Sequence, residues 1–291
     1  MSATTSAGKA TVKQYCEVLR MPRSTYYASQ SPPSVPAPRT TRAQSRGVRS
    51  RDLLAALRAQ AKAHPAWGYR KLWATLRRAG MAVSLRRVYE LCRAWRLLLP
   101  PDRPNRQPAP RGHVTVPDSN RRWATDLTTV WTPSDGLVAV TVLVDCGDRS
   151  VLGLTASKSQ DAPTVLGPVQ AALVAHFDVP AHVPAGLELR TDHGPQYTGS
   201  DCATLCRRWR LDHTLAPVGR PTGNAVAERT IRTLKEECLW LAEFDSLSEL
   251  QAALDAWRVH FNAQRPHQAL EWQTPAERRA QRLGHRLQEA A

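Results

Sequence analysis

Residues 122–156 constrain the fold most, because three apolar, β-branched segments follow one another with only turn residues between them. RWATDLTTVWT (122–132) alternates, and Pro133-Ser134-Asp135-Gly136 turns the chain. LVAVTVLVD (137–145) suits a central strand, and Cys146-Gly147-Asp148-Arg149 leads into SVLGLTA (150–156). Spacers this short connect antiparallel neighbours, so the three segments form a meander. A helix follows over about 161–177, capped by Asp161 with Pro163 in its first turn. Then come a strand at 187–191, a helix at 200–210, a short strand at 211–216 and a long helix from Asn224. The order βββαβαβα places the last two strands parallel to the first. The expected fold is an α/β core with a mixed five-stranded sheet.

What precedes this core is strongly basic. Residues 1–112 carry 22 Lys and Arg against 4 Asp and Glu, a net of +18, whereas residues 113–291 carry 18 against 21. Such segregation points to a polyanion-binding arm on a near-neutral body. A helix over 51–63 is ended by His64-Pro65. A second spans Gly68–Ala79, with Leu72, Leu76 and Ala79 on one face and Gly80 as its cap. A third, 85–96, is capped by Ser84 and turns Leu85, Val88, Leu91, Cys92 and Trp95 inward. Two helices joined by a glycine-containing turn, the second bearing Arg86, Arg87, Arg93 and Arg96 outside its apolar stripe, fit a helix-turn-helix reader of DNA. Arg86, Arg87 and Arg93, with Arg70 on the preceding helix, are the candidate DNA contacts.

The expected domains are a short helix-turn-helix-like segment in 1–30, a Pro-rich linker at 31–46 and the helix-turn-helix at 47–99. A second Pro-rich linker covers 100–118, the core 119–280 and a tail 281–291. No run of about 18 apolar residues occurs, so no helix is expected to span a membrane. The start lacks the apolar segment of a secretory signal, and the six scattered cysteines suit buried thiols in a reducing cytoplasm. Cys202 and Cys206 share one helix face.

Three acids stand at informative places. Asp126 falls mid-strand in the first strand and Asp192 at the C-terminal end of the fourth, where parallel sheets place ligand sites. Glu228 lies near the start of the helix from Asn224, with thirty-five residues between it and Asp192, and Lys235 follows it by seven. An apolar stripe of Ala227, Ile231, Leu234, Cys238 and Leu241 docks that helix, with Glu228, Arg232 and Lys235 in a row beside it. Taken singly, Asp126 reads as an edge-strand charge, Asp192 as a turn former and Glu228 as the partner of Arg232. Brought together, the three carboxylates repel unless a cation neutralises them. Magnesium, a hard ion that prefers carboxylate oxygens, suits such a set, and two ions suit an in-line phosphoryl displacement.

These pieces resemble a known family. The stretches His64-Pro65-x-Trp67-Gly68-Tyr69-Arg70, Trp123-x-x-Asp126-Leu127-Thr128 and Asp192-His193-Gly194-x-Gln196-Tyr197 are similar to those of DDE transposases and retroviral integrases. So are Gly223-Asn224-Ala225-x-x-Glu228, Thr233-Leu234-Lys235-x-Glu237, Phe261-Asn262-x-x-Arg265-Pro266-His267 and Thr274-Pro275. More narrowly, the chain resembles the second-reading-frame product of the bacterial insertion-sequence family three over about residues 12–280. The resemblance implies a ribonuclease-H-like core. It makes Asp126, Asp192 and Glu228 the catalytic, metal-binding residues for two magnesium ions, with manganese able to substitute. Lys235 and Arg232 become contacts to DNA, Asn224 the cap of the Glu228 helix, and Gly194, Gln196 and Tyr197 supports of the site. The implied reaction frees a 3′-hydroxyl at the element end and joins it to another strand. Element terminal repeats and target DNA are the implied partners, handled by a homo-oligomer, with an upstream first-frame protein as fusion or partner. The competing readings are a catalytically silent DNA-binding regulator and a plain ribonuclease-H-like nuclease.

Overall fold

In the computed structural model, residues 50–100, 116–217 and 224–289 are described, the last seven of them as backbone only. The expected helices of 1–30, the linker at 31–46 and most of the linker at 100–118 lie outside them. Residues from Val48 onward form one compact unit. It begins with three helices, α1 (Ser50–Ala63), α2 (Tyr69–Arg78) and α3 (Leu85–Ala94). Leu53, Leu57, Trp67, Leu72, Leu76, Val83, Val88 and Cys92 make their common core. Gly80 takes the left-handed conformation (φ 83°) that only glycine adopts cheaply, and the Ser84 hydroxyl accepts the Arg87 amide as the cap of α3.

Some expected inward positions face outward. Ala79 is the exposed C-cap of α2. The α3 helix stops at Ala94, because Arg96 adopts a positive φ, so Trp95 leaves the helical phase and stands 49 % exposed. The Arg58 guanidinium covers its ring, 4.4 Å from the centroid. Leu85, in the first turn, is 36 % exposed.

The core holds one sheet, β1 (Arg122–Thr132), β2 (Gly136–Asp145), β3 (Val151–Ser157), β4 (Glu188–Thr191) and β5 (Asp212–Leu215), in the order β3-β2-β1-β4-β5. The meander pairs antiparallel, and β4 and β5 run parallel to β1. This is the mixed sheet and ribonuclease-H-like topology expected. Helices cover both faces, which is why β2 reads as an unbroken apolar run. On one face lie α4 (Ala162–Phe177), the one-turn α5 (Pro195–Thr198) and α6 (Ser200–Trp209), packed on Trp123, Leu143 and Leu189. On the other, Ile231 and Leu234 of α7 (Ala225–Leu234) and Leu250, Leu254, Trp257 and Phe261 of α8 (Leu247–Ala263) pack on Val138, Val140 and Val142. A last helix, α9 (Pro275–Glu289), runs past residue 280. Thr274 and Glu277 cap it reciprocally, and Pro275 occupies its first position.

The helix bearing Glu228 departs from the regular stripe expected of it. After Leu234 the chain widens into one π-turn, Lys235–Leu239. The wider turn shifts the phase of the residues beyond it, so Leu239 is buried while Leu241 is 52 % exposed. Single π-turns within helices are often found at functional sites.

Candidate active site

Strand parity aims the first carboxylate. Asp126 sits opposite Val142, and Ala124 opposite Val144. Side chains directly across a ladder share a face, so Asp126 points to the side where α7 packs. There Ala227, the neighbour of Glu228, meets Ala124 and Val144. Thr125 points the other way, and its hydroxyl meets the phenol of buried Tyr197 at 3.2 Å. The parallel pairing of β1 with β4 ends at Ala124 and Arg190, and Asp192, the first residue past β4, lies near enough for its charge to act on Asp126.

The charges feel one another. Burial pushes the Asp126 carboxyl up to about 6; the Leu127 amide opposes this, while Asp192 and Glu228 raise it further and Lys235 lowers it. Burial also raises Glu228. Asp192 accepts the Gly194 amide at 2.9 Å, so the turn-forming reading of this residue is also true. A Cβ at Gly194 would stand 2.4 Å from the terminal amide of Gln196, the far end of a flexible side chain that can move aside. Tyr197, 1 % exposed, supports the floor behind Thr125.

The structure thus brings Asp126, Asp192, Glu228 and Lys235 within electrostatic reach. Their carboxylate oxygens are not tightly clustered. Among the described residues, the only three metal-ligating side chains with donor atoms all within 4.8 Å of one another are Cys202, Cys206 and His213. These lie in or against the apolar core under α6, where both thiols are buried. Asp126, with the Asp192 and Glu228 carboxylates and the partly buried Lys235 acting on it, fits a hard divalent ion, which would supply the missing countercharge. Buried Asp145 and Asp148 differ, because Arg279 pairs with both at 2.9 Å.

One expectation about α7 needs correction, and one of the single-residue alternatives is not formed. Asn224 occupies the N-cap position, but its side chain makes no capping bond. Instead its amide nitrogen donates to the Thr125 carbonyl at 3.0 Å, tying the start of the Glu228 helix to the residue before Asp126. Nor does Glu228 pair with Arg232, which bonds Glu236 at 2.8 Å. Of the helix-turn-helix arginines, Arg86 pairs with Glu90 at 2.8 Å and Arg87 bonds the Ser50 hydroxyl at 3.0 Å. Arg70 and Arg93 are exposed. These arginines belong to the helical module and lie outside the carboxylate cluster.

Sequence reasoning missed a buried junction beside the site. Glu237, in the π-turn, receives both arms of the Arg265 guanidinium at 2.7 and 2.8 Å and the Lys71 ammonium at 2.7 Å. Those cations hold Glu237 at about 2 in spite of its burial. Two further links join α2 to the core, a bidentate Arg78–Glu277 pair and an edge contact of Trp73 with Trp272. Glu237 and Arg265 both stand in motifs that carry the family resemblance, but no periodicity connects residues so far apart in sequence. Asn262, from the same motif as Arg265, bonds both backbone groups of Val151 at 2.9 Å and so fixes α8 to β3.

Comparison with known proteins adds to this geometry. The integrase core domain family matches residues 117–221, a second integrase core domain family matches 209–275, and the HTH-like domain family matches 49–104. Transposase InsD for insertion element IS2A/D/F/H/I/K of Escherichia coli is 31% identical over 229 residues, covering 75% of this chain and 75% of that protein. Transposase InsD for insertion element IS2-9 of Escherichia coli (strain K12) is likewise 31% identical, over 75% of this chain and 73% of that protein. Among solved structures, the simian T-cell lymphotropic virus intasome in complex with PP2A regulatory subunit B56 gamma aligns with TM-score 0.48 and 21% identity, over 77% of this chain and 74% of that one. The HTLV-2 integrase catalytic core domain in complex with magnesium (trimeric form) aligns with TM-score 0.43 and 16% identity, over 57% and 99%.

Proposed function

Because the chain belongs to the insertion-element transposases with an integrase-type core and an HTH-like domain, and so serves DNA transposition by polynucleotidyl transfer, we propose that Asp126, Asp192 and Glu228 are its catalytic residues and hold two magnesium ions. The single observation that carries this is the convergence of three carboxylates from β1, the end of β4 and α7, without an ion pair of their own among the described residues. Bound there, the ions supply Lewis-acid stabilisation of charge at the reacting phosphate, and manganese can take their place.

The chain's own residues do the rest. Asp126 and Asp192, on adjacent parallel strands, give a rigid pair of donors, while Glu228 closes the set from the helix. Asn224 fixes the spacing between that helix and β1 through Thr125. Tyr197 and Thr125 hold the opposite face of β1. Lys235, beside the carboxylates, neutralises a DNA phosphate, with Arg232 one turn earlier. The exposed arginines of the helical module, Arg70 and Arg93 with Arg86 and Arg87, read the terminal repeat. The proposed domains are a helix-turn-helix at 47–99 and a core from 119 whose last helix runs on beyond 280, and the protein works as a multimer, since two DNA ends must meet. A first-frame protein from the same element is its proposed fusion or partner.

The test is a strand-transfer assay on labelled terminal-repeat DNA, with and without magnesium, alone and with any first-frame protein. Joined product that needs metal and vanishes in Glu228→Gln is the expected result. Binding without cleavage in every mixture would favour the regulator instead.

A further inference from the structure

A groove of about 400 Å³ opens where α2 meets the core, on the flank of α7 across the buried stripe from the row that carries Glu228. Val226, Arg229, Thr230 and Thr233, at i, i+3, i+4 and i+7, form its wall along that helix. Lys71 comes from the helical module, Arg149 from the β2–β3 turn and Arg265 from the chain after α8. Among the described residues no carboxylate lines it. Glu237 holds Lys71 and Arg265 from outside the groove lining, one negative charge for two positive ones. No ion pair engages Arg149 or Arg229 among the described residues. The groove is therefore left with a clear excess of positive charge in fixed positions.

That excess is costly in the free protein, because Lys71 is repelled by Arg265 and Arg229 and its ammonium sits below its usual pKa, chiefly through burial. A ligand with several negative charges in a row would relieve it. The groove is long and open along a helix and contributed by two modules, so it suits a chain of phosphates better than one small anion.

We propose that this groove is a second DNA-binding surface, which seats a phosphodiester backbone between the helix-turn-helix and the catalytic helix, with Arg149 and Arg229 as its free contacts. The site rests on the reading of the chain as a DNA transposase and adds a contact path distinct from Arg86, Arg87 and Arg93. DNA lying in it would run along the flank of α7 away from Glu228, held between the helical module and the core.

The experiment measures binding of the full chain to a fluorescein-labelled random-sequence duplex in chelator, over a series of salt concentrations. Arg149→Ala/Arg229→Ala should weaken binding at least several-fold and lower the salt slope by about 0.9 for each phosphate no longer neutralised. An unchanged slope and affinity would overturn the proposal. A second readout does not depend on those substitutions. Ala269→Cys, at an exposed position of the groove, carrying a photoreactive label should crosslink to the same duplex, and failure to crosslink while the labelled protein still binds would count equally against it. Metal-dependent cleavage by the wild-type chain, measured separately, tests the transposase reading, so either can fail without the other.

Discussion

Asp126 and Glu237 are both largely buried acids, yet the protein treats them in opposite ways. Glu237 has two cations in hydrogen-bonding contact and is held at about 2. Asp126 is pushed up to about 6 by burial, and the two carboxylates near it add to that rather than oppose it. Satisfied charge fixes α2 against the core. Unsatisfied charge costs stability, and under the proposal a bound cation would answer it. Buried acids in one fold thus separate into structural and functional groups by their partners, and residue type or burial alone would not have separated them.

The largest expected effect breaks one side of the comparison. Asp192→Asn removes cleavage and joining by at least about 10³-fold while DNA affinity persists, as read by gel assays of product and of complex; preorganised charge stabilisation of this kind is commonly worth that much. Loss of both together would undo the role given to Asp192.

Glu237→Gln breaks the other side. It leaves Arg265 and Lys71 without their counter-ion and costs about 3–5 kcal/mol in denaturant unfolding. Its pH dependence is also defined. Because folding lowers the Glu237 carboxyl from the usual 4.5 to about 2, its stabilisation is whole above about 4.5 and fades as pH falls toward 2. Thermal melts of wild type and variant should therefore differ at pH 7 and draw together in acid.

Asp126→Asn has the opposite sign. Folding raises this carboxyl, so its ionised form penalises the folded state at neutral pH. In chelator at pH 7 the variant gains about 1–2 kcal/mol, less than the shift alone would give, since the bond from the Leu127 amide weakens. Asn224→Ala is smaller, about 0.5–1.5 kcal/mol for the bond to Thr125. It should lower strand transfer more than it lowers stability, because the spacing of Glu228 from Asp126 loosens.

Much of this was legible in the sequence. The β-branched meander and the short turns defined three strands nearly to the residue, because alternation and apolar runs arise directly from a sheet covered on both faces. The carboxylates could be placed on their elements, and strand parity aims Asp126 at α7. The π-turn after Leu234 was not legible, since Ala227, Ile231 and Leu234 continue smoothly into Cys238 and Leu241 at helical spacing. Only packing shows that the phase slips at Lys235. The side chain of Asn224 misled for a related reason: asparagine at a helix start usually caps, but here a buried strand carbonyl lies within reach. The Lys71–Glu237–Arg265 junction was invisible because it depends on two modules meeting in space, and Trp95 was misplaced because Arg96 ends the helix early.

The central claim is that Asp126, Asp192 and Glu228, which have no ion pair among the described residues, form a metal site. It is tested most directly by melting the protein at pH 7 with increasing manganese or magnesium. The account predicts that metal stabilises the wild-type chain, by about 2.7 kcal/mol at a hundredfold excess over the dissociation constant. Glu237→Gln should keep that increment despite its lower starting stability, while Asp126→Asn and Glu228→Gln should lose it. An equal increment in the Asp126 and Glu228 variants would contradict the claim and place the ion elsewhere.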